Sequence, residues 1–191
     1  MNISLIKYPV TNLGPGNRIG IWTSGCHKNC KNCMSPHAKE FSKESERSLD
    51  DILKQVDEIL SNYKVDGVTI SGGEPFDQVE LRDLLTKLRE KGINDILVYT
   101  GYLVEELQNQ KDTLKLISVL IDGPYVDELN DDKPLRGSSN QRIFIIDNNV
   151  SQKYLDYLKK PRNFDIYVND DTFEIIGILP KGGYEFIKKI I

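Results

Sequence analysis

The sequence of 191 residues contains few cysteines and histidines, with three of the first and two of the second. No cysteine lies outside residues 26–33, which excludes a framework of disulfides spread along the chain. No run approaches the roughly 18 apolar residues that a membrane helix needs. Residues 1–13 lack a basic region followed by an apolar core, so no signal peptide is apparent. These absences predict a protein of the reducing cytoplasm that makes no contact with a membrane.

The chain also lacks an excess of positive charge. Its 25 Lys and Arg residues are interspersed with 29 Asp and Glu residues, and the formal net charge is −4. Proteins that bind nucleic acid usually present a basic face, so we expect no nucleic-acid partner. The length predicts a single domain spanning residues 1–191.

All three cysteines, Cys26, Cys30 and Cys33, lie within eight residues. Thiolates at this spacing are typical of a metal site that holds zinc, copper(I) or an iron–sulfur cluster. A zinc ion would need a fourth ligand such as His27 or His37, whereas a [4Fe–4S] cube held by three cysteines would keep one iron open. The spacing of three and then two residues favours the cluster, because zinc sites more often arrive as CxxC pairs. The loop alone leaves both metals open.

Strands and helices alternate along the chain with short connections, which predicts βαβ units and a parallel sheet. One helix is expected to begin after Ser48, and a second to carry Val79 to Leu88 on its apolar side and to end at Gly92. The chain is too short for a closed eightfold barrel of roughly 250 residues, so we expect an α/β fold that is a partial, open TIM-like barrel of about six βα units. The predicted strands are 3–10, 19–24, 65–71, 95–100, 116–121, 142–147, 165–169 and 174–179, and short helices are predicted at 104–109 and 152–158.

Four distinctive loops each follow a predicted strand, and the carboxyl ends of strands form the ligand site in α/β proteins. They are the cysteine loop, the Gly-Gly-Glu-Pro segment 72–75, the Tyr-Thr-Gly segment 99–101 and the Asp-Gly-Pro segment 122–124. Gly72 and Gly73 permit a close approach of the backbone to a carboxylate, and Glu74 offers an acceptor for an ammonium group. Asp122 is a candidate acceptor for ribose hydroxyls, although the glycine segment also suits a plain strand-to-helix turn and Asp122 a turn former.

The order of these motifs resembles the radical S-adenosylmethionine superfamily, in which a CxxxCxxC loop precedes a GGEP segment. Within it, the chain is similar to the activating proteins of anaerobic (class III) ribonucleoside-triphosphate reductases. The segments that carry this resemblance are NLGPGNR (12–18), 23–33, VTISGGEP (68–75), YTGY (99–102), LIDGPY (120–125) and RGSSNQ (136–141).

The resemblance implies a [4Fe–4S] cluster on Cys26, Cys30 and Cys33, with S-adenosylmethionine on the fourth iron. It further implies reductive cleavage of S-adenosylmethionine and transfer of the radical to a glycine of the reductase. The implied partners are the large subunit of that reductase and a small electron donor such as flavodoxin or ferredoxin. No catalytic residue is expected beyond the ligands of cluster and cofactor, and the implied cofactor contacts are Asn32, Met34, Ser71, Gly72, Gly73, Glu74, Thr100 and Asp122.

Residues 146–191 continue beyond the segments that carry the resemblance. This extension is expected to complete the barrel, to contact a partner or to mark a different substrate. Two other functions stay open, a radical enzyme acting on a small molecule or peptide, and a non-catalytic module stabilised by zinc or a cluster. Trp22 and Tyr99 are predicted to be packing residues, and the acidic segment 127–132 a solvated surface.

Overall fold

A six-stranded mixed sheet forms the centre of the protein in a computed structural model that describes residues 1–169 and 172–183. Strands β2 to β5 are parallel, and β1 and β6 pair antiparallel with them at the two edges. The predicted α/β class is confirmed, but the parallel part has only four strands. In sheet order the strands are β1 (Ile3–Val10), β2 (Arg18–Thr23), β3 (Gly67–Gly72), β4 (Ile96–Tyr99), β5 (Val119–Asp122) and β6 (Arg142–Ile145).

Helices connect the parallel strands. The hydroxyl of Ser48 accepts a hydrogen bond from the Asp51 amide at 3.1 Å, so the first helix begins where its capping residue predicts. The second helix ends before Gly92, whose φ of +82° favours glycine. No helix in the described ranges combines the length and apolar character needed to cross a bilayer. The α-helices are α1 (Leu49–Asn62), α2 (Leu81–Glu90), α3 (Lys111–Leu114) and α4 (Ser151–Tyr157).

One expectation about the helices is wrong, and the short helix expected at 104–109 is present but is of the 3-10 type. Val79 is 95% exposed and precedes α2, because Gln78 holds the chain by donating to the Ser24 carbonyl at 2.9 Å and accepting from the Asn2 amide at 2.8 Å. Residues Val104–Gln110 form 3-10 turns, broken at Leu107, instead of an α-helix. A segment of this length gains few helical hydrogen bonds, so the burial of Leu107 decides its shape.

The two faces of the sheet have different coverings. Helices α1 and α2 pack on one face, where Ile70 and Val98 meet Val56 and Leu84 in a continuous apolar core. The other face carries Leu97 and its neighbours, which pack against Tyr154 and Tyr157 of α4. Part of the extension therefore covers the face that α1 and α2 leave open.

The remainder of the described extension is a hairpin of β7 (Phe164–Asn169) and β8 (Thr172–Gly177), which were predicted as separate strands of the main sheet. Within the described residues these two strands pair only with each other, as a separate antiparallel sheet. The hairpin is fixed to the start of the chain, since Asn12 donates to the Ile176 carbonyl at 2.7 Å and Ile176 packs against Trp22. Residues 184–191 lie outside the described residues.

A buried ion pair occupies the amino-terminal end of the parallel strands. Arg18 is fully buried, and its guanidinium donates to Asp95 at 2.8 Å and to the Thr69 hydroxyl at 2.7 Å. Asp95 also accepts from the Tyr154 hydroxyl at 2.8 Å. Strands β2, β3 and β4 and helix α4 are thus joined at a single point.

Candidate metal and cofactor site

The three cysteines lie on the loop that follows β2, at the carboxyl end of the sheet. The start of the loop is fixed by its own backbone, because the Gly25 amide donates to the Ala38 carbonyl at 2.9 Å and the Cys26 amide to the Lys39 carbonyl at 3.0 Å. All three thiols are free and partly exposed. They are therefore outside the apolar core and accessible to a metal.

An open cavity separates the cysteine loop from the strand ends. Its wall brings together every site residue that the sequence predicts, apart from Asn32 and Asp122. The predicted residues that line it are Cys26, Cys30, Cys33, Met34, Ser71, Gly72, Gly73, Glu74 and Thr100.

Gly72 and Gly73 make the close contact between β3 and the cysteine loop possible. Gly72 has a φ of +105°, and a methyl group on Gly73 would lie 2.3 Å from the Gly25 carbonyl oxygen. The Gly73 amide donates to the Thr23 carbonyl at 2.8 Å. The protein's own backbone fills the space that side chains at these two positions would occupy. Because the Gly73 amide donates within the protein, it is not free to bind the carboxylate of a ligand, as we expected it to be.

Glu74 is 1% exposed, and its carboxylate accepts three hydrogen bonds, from the Phe76 amide at 3.0 Å, the Thr100 hydroxyl at 2.8 Å and the Gly101 amide at 2.7 Å. Burial raises the pKa of Glu74 to about 7, against the opposing effect of these hydrogen bonds. Glu74 thereby joins the end of β3 to the end of β4, and its role towards an ammonium group stays a prediction.

The donor atoms around the cavity fit an iron–sulfur cluster. Burial raises the pKa of the Cys26 thiol to about 11, and the charges of Glu74, Asp77 and Cys33 raise it further. Burial likewise raises the pKa of Cys33, and the charge of Cys30 adds to this. Three thiolates so close together therefore need a cation to be stable.

Within the described ranges, no three His, Cys, Asp or Glu side chains converge on one point, as the ligands of a single ion would. A cube distributes its cysteines over different irons, so its ligands need not converge.

Two predicted contacts lie outside the cavity wall. The carboxylate of Asp122 is fully buried, pairs with Arg142 and accepts from the Val104 amide at 2.8 Å. Asn32 has a φ of +54° and donates to Asp127 at 2.9 Å. The structure engages both side chains within the protein, and their assignment to the cofactor stays a prediction.

Several residues of the wall were not predicted as site residues. Trp22 and Tyr99 form an apolar part of it. Strands β2 and β4 are almost continuously buried, so no alternation in the sequence marks which of their residues face the cavity. Tyr125 and Gln141 belong to the LIDGPY and RGSSNQ segments, which the sequence singled out without assigning a role. Ile178 belongs to the extension, and no motif pointed to it.

The acidic segment 127–132 lies largely at the surface, as expected, and two of its residues, Asp127 and Glu128, also contact the cysteine loop. Asp127 accepts from Asn32, and Lys31 lies 3.3 Å from Glu128. Lys31 and Glu128 are both well exposed, so their ion pair contributes little energy and serves mainly to orient the loop.

Comparisons with known proteins identify relatives of this chain. The family of 4Fe-4S single cluster domains matches residues 12–144. The anaerobic ribonucleoside-triphosphate reductase-activating protein of Escherichia coli (strain K12) is 34% identical over 149 residues, which cover 71% of this chain and 94% of that protein. The protein of the same name from Enterobacteria phage T4 is 30% identical, over 69% of this chain and 85% of its own.

A relative from Methanocaldococcus jannaschii, named as a glycyl-radical enzyme activating enzyme, is 29% identical over 95% of this chain and 66% of its own length. The match to a 4Fe-4S domain decides the metal that the cysteine loop left open, in favour of the cluster. The chain belongs to the family of 4Fe-4S single cluster domains and, within it, to the anaerobic ribonucleoside-triphosphate reductase-activating proteins, as the resemblance of its motifs predicts.

Proposed function

We propose that this chain is a radical S-adenosylmethionine enzyme that generates a glycyl radical on an anaerobic ribonucleoside-triphosphate reductase. The observation that carries the proposal is the cavity in which the three cysteines face the Gly72–Glu74 turn. Among the relatives, those named as activating proteins of this reductase match most of their length to this chain. Family and geometry therefore support the same chemistry.

The residues of the chain bind and orient in this proposal. Cys26, Cys30 and Cys33 hold the cluster, and the wall formed by Ser71 to Glu74, Thr100 and Met34 holds S-adenosylmethionine beside it. When bound, the cluster and S-adenosylmethionine together supply an electron and a carbon-centred radical that takes a hydrogen atom from a glycine. Tyr99 and Trp22 present apolar surface that limits the access of water.

The sequential order of β2 to β5 supports the finer view of the fold as the arc of an incomplete barrel. The extension belongs to the same domain as residues 1–145 in this view, because α4 and β8 pack on the inner face of the arc. Its contribution is to fill and wall the interior beside the cavity.

The proposed electron donor is a small protein such as flavodoxin or ferredoxin, because the three cysteines that would hold the cluster are partly exposed and a docked carrier could approach them. The compartment is the reducing cytoplasm, where three free thiols persist as metal ligands.

The test combines the anaerobically reconstituted protein, S-adenosylmethionine, a chemical reductant and an anaerobic ribonucleoside-triphosphate reductase of the same organism. We expect a glycyl radical doublet on the reductase by electron paramagnetic resonance. The control is a reductase in which the radical glycine is replaced by alanine. Formation of 5′-deoxyadenosine without a doublet would contradict the proposed substrate and favour a small molecule or peptide instead.

A further inference from the structure

Asp77, two residues beyond the Gly-Gly-Glu-Pro segment, has a carboxylate that is 7% exposed and directed at the cysteine loop. One oxygen accepts the backbone N–H of His27 at 2.8 Å and lies 3.0 Å from the imidazole Nδ1. The other oxygen accepts the hydroxyl of Tyr102 at 2.8 Å. One buried side chain thus joins the residue that follows Cys26 to the end of β4.

The next residue of the loop, Lys28, also contacts Tyr102. The ammonium of Lys28 lies 3.8 Å from the centre of the Tyr102 ring and 3.4 Å from Glu106. Both residues that follow Cys26 are therefore held by Asp77 and Tyr102. The second half of the loop contacts the partly exposed Asp127 and the exposed Glu128, and these contacts are weaker because water screens them.

The carboxylate of Asp77 has no part in capping its own 3-10 turn, because Glu74 accepts the Phe76 amide there. Every partner of Asp77 named above lies on another segment of the chain. A purely local structural role would require partners within the turn.

We propose that Asp77 is a positioning residue, which sets the distance of Cys26 from the Gly72–Glu74 turn and so aligns the cluster with S-adenosylmethionine. The proposal rests on the proposed function in requiring that the loop holds a cluster and that S-adenosylmethionine binds beside it. It needs neither the reductase nor any particular substrate.

The first test is amide hydrogen exchange in the metal-free full chain, comparing Asp77→Ala, Asp77→Asn and Asp83→Ala, an exposed carboxylate on α2. We expect the His27 amide to exchange about tenfold faster in Asp77→Ala, as the loss of one charge-assisted hydrogen bond predicts, with core amides such as Ile70 unchanged. Asp77→Asn keeps one oxygen acceptor and should restore part of the protection. Unchanged exchange of His27, or equal acceleration of core amides, would overturn the proposal.

The second test measures iron release to a chelator and the electron paramagnetic resonance spectrum of the reduced cluster. In Asp77→Ala we expect about tenfold faster release and a smaller spectral change on addition of S-adenosylmethionine than in Asp83→Ala. Identical release and identical spectra in the two variants would overturn the proposal. If the unmodified chain took up no cluster, the proposed function would fail, while the exchange measurement would still decide the role of Asp77.

Discussion

Two buried carboxylates lie at opposite ends of the parallel strands and have opposite environments. Asp95, at the amino-terminal end, is 3% exposed and paired with Arg18 and Lys153. Glu74, at the carboxyl end, is 1% exposed and has only neutral donors, the Phe76 and Gly101 amides and the Thr100 hydroxyl. Within the described ranges no cationic side chain lies within 4 Å of the Glu74 carboxylate.

The pKa values of the two groups record this difference. Burial alone would raise the pKa of Asp95, but the hydrogen bonds and charge of Arg18, with Lys153 and Tyr154, lower it below its ordinary value. Burial raises the pKa of Glu74 because no opposite charge compensates it. The two buried carboxylates thus differ in compensation: cations pair with Asp95, whereas among the described residues only neutral groups donate to Glu74.

The largest expected effect is the loss of the cluster at the carboxyl end of the strands, without a loss of stability. Cys30→Ser should abolish cluster assembly while the fold is retained, because Cys30 lies on a partly exposed loop outside the core. Iron content after anaerobic reconstitution and circular dichroism measure the two properties. Loss of the secondary structure in the variant would contradict a loop that is separate from the core.

At the other end, Asp95→Ala should lower the free energy of unfolding by about 3–5 kcal/mol, because it leaves the Arg18 guanidinium buried without a counter-charge. The matched control is Asp112→Ala, which removes an ion pair of the same 2.8 Å length from the surface. That variant should change stability by no more than about 0.5 kcal/mol. Denaturant unfolding compares them, and equal losses would show that burial is not decisive.

Glu74 should make the protein less stable as pH rises. Its carboxyl group binds a proton more tightly in the folded state, so between pH 4.5 and about 7 the unfolded state holds fewer protons. The free energy of unfolding should fall by about 3 kcal/mol across this interval relative to Glu74→Gln. Asp95 acts in the opposite direction, since its stabilisation is lost only as pH falls below about 3.8.

Denaturant unfolding at a series of pH values, under reducing conditions, provides the comparison. The difference between the wild type and Glu74→Gln isolates this group from the other titrating residues. A difference that does not depend on pH would contradict the uncompensated burial of Glu74.

A smaller loss is expected from Gly73→Ala, about 1–3 kcal/mol, because the added methyl group would meet the backbone of Gly25 and Ala38. Gly101→Ala is the control, since its methyl group would meet only side-chain atoms, those of Lys28 at 3.3 Å and of Glu74 at 3.4 Å, at ordinary or slightly short distances. Thermal unfolding of the two variants tests the packing of the cysteine loop. Equal midpoints would indicate that the loop moves freely to accommodate the methyl group.

Much of the rim could be predicted from the sequence, because its residues are contiguous in short motifs. The cysteine loop and residues 72–74 follow strands, and strand ends of a parallel sheet meet at one edge. A short motif does not, in contrast, predict contacts between residues that are distant in sequence. Asp122 was expected to contact a ligand, but the chain places Arg142, 20 residues away, against it.

The extension shows the same limit at the level of the fold. The sequence predicts β7 and β8 as strands, since their composition favours extended structure, but it does not predict that they pair with each other. Alternation reports that a strand is half buried and does not report which sheet it joins. The burial of Tyr154 against Asp95 likewise depends on a contact 59 residues apart in sequence.

The central claim is that Cys26, Cys30 and Cys33 bind one cluster beside the proposed S-adenosylmethionine site. Anaerobic reconstitution, followed by reduction in the presence of S-adenosylmethionine, tests it most directly. The account predicts a brown protein with about four iron atoms per chain, which releases 5′-deoxyadenosine and methionine. A colourless protein that retains a single zinc ion and leaves S-adenosylmethionine intact would contradict it.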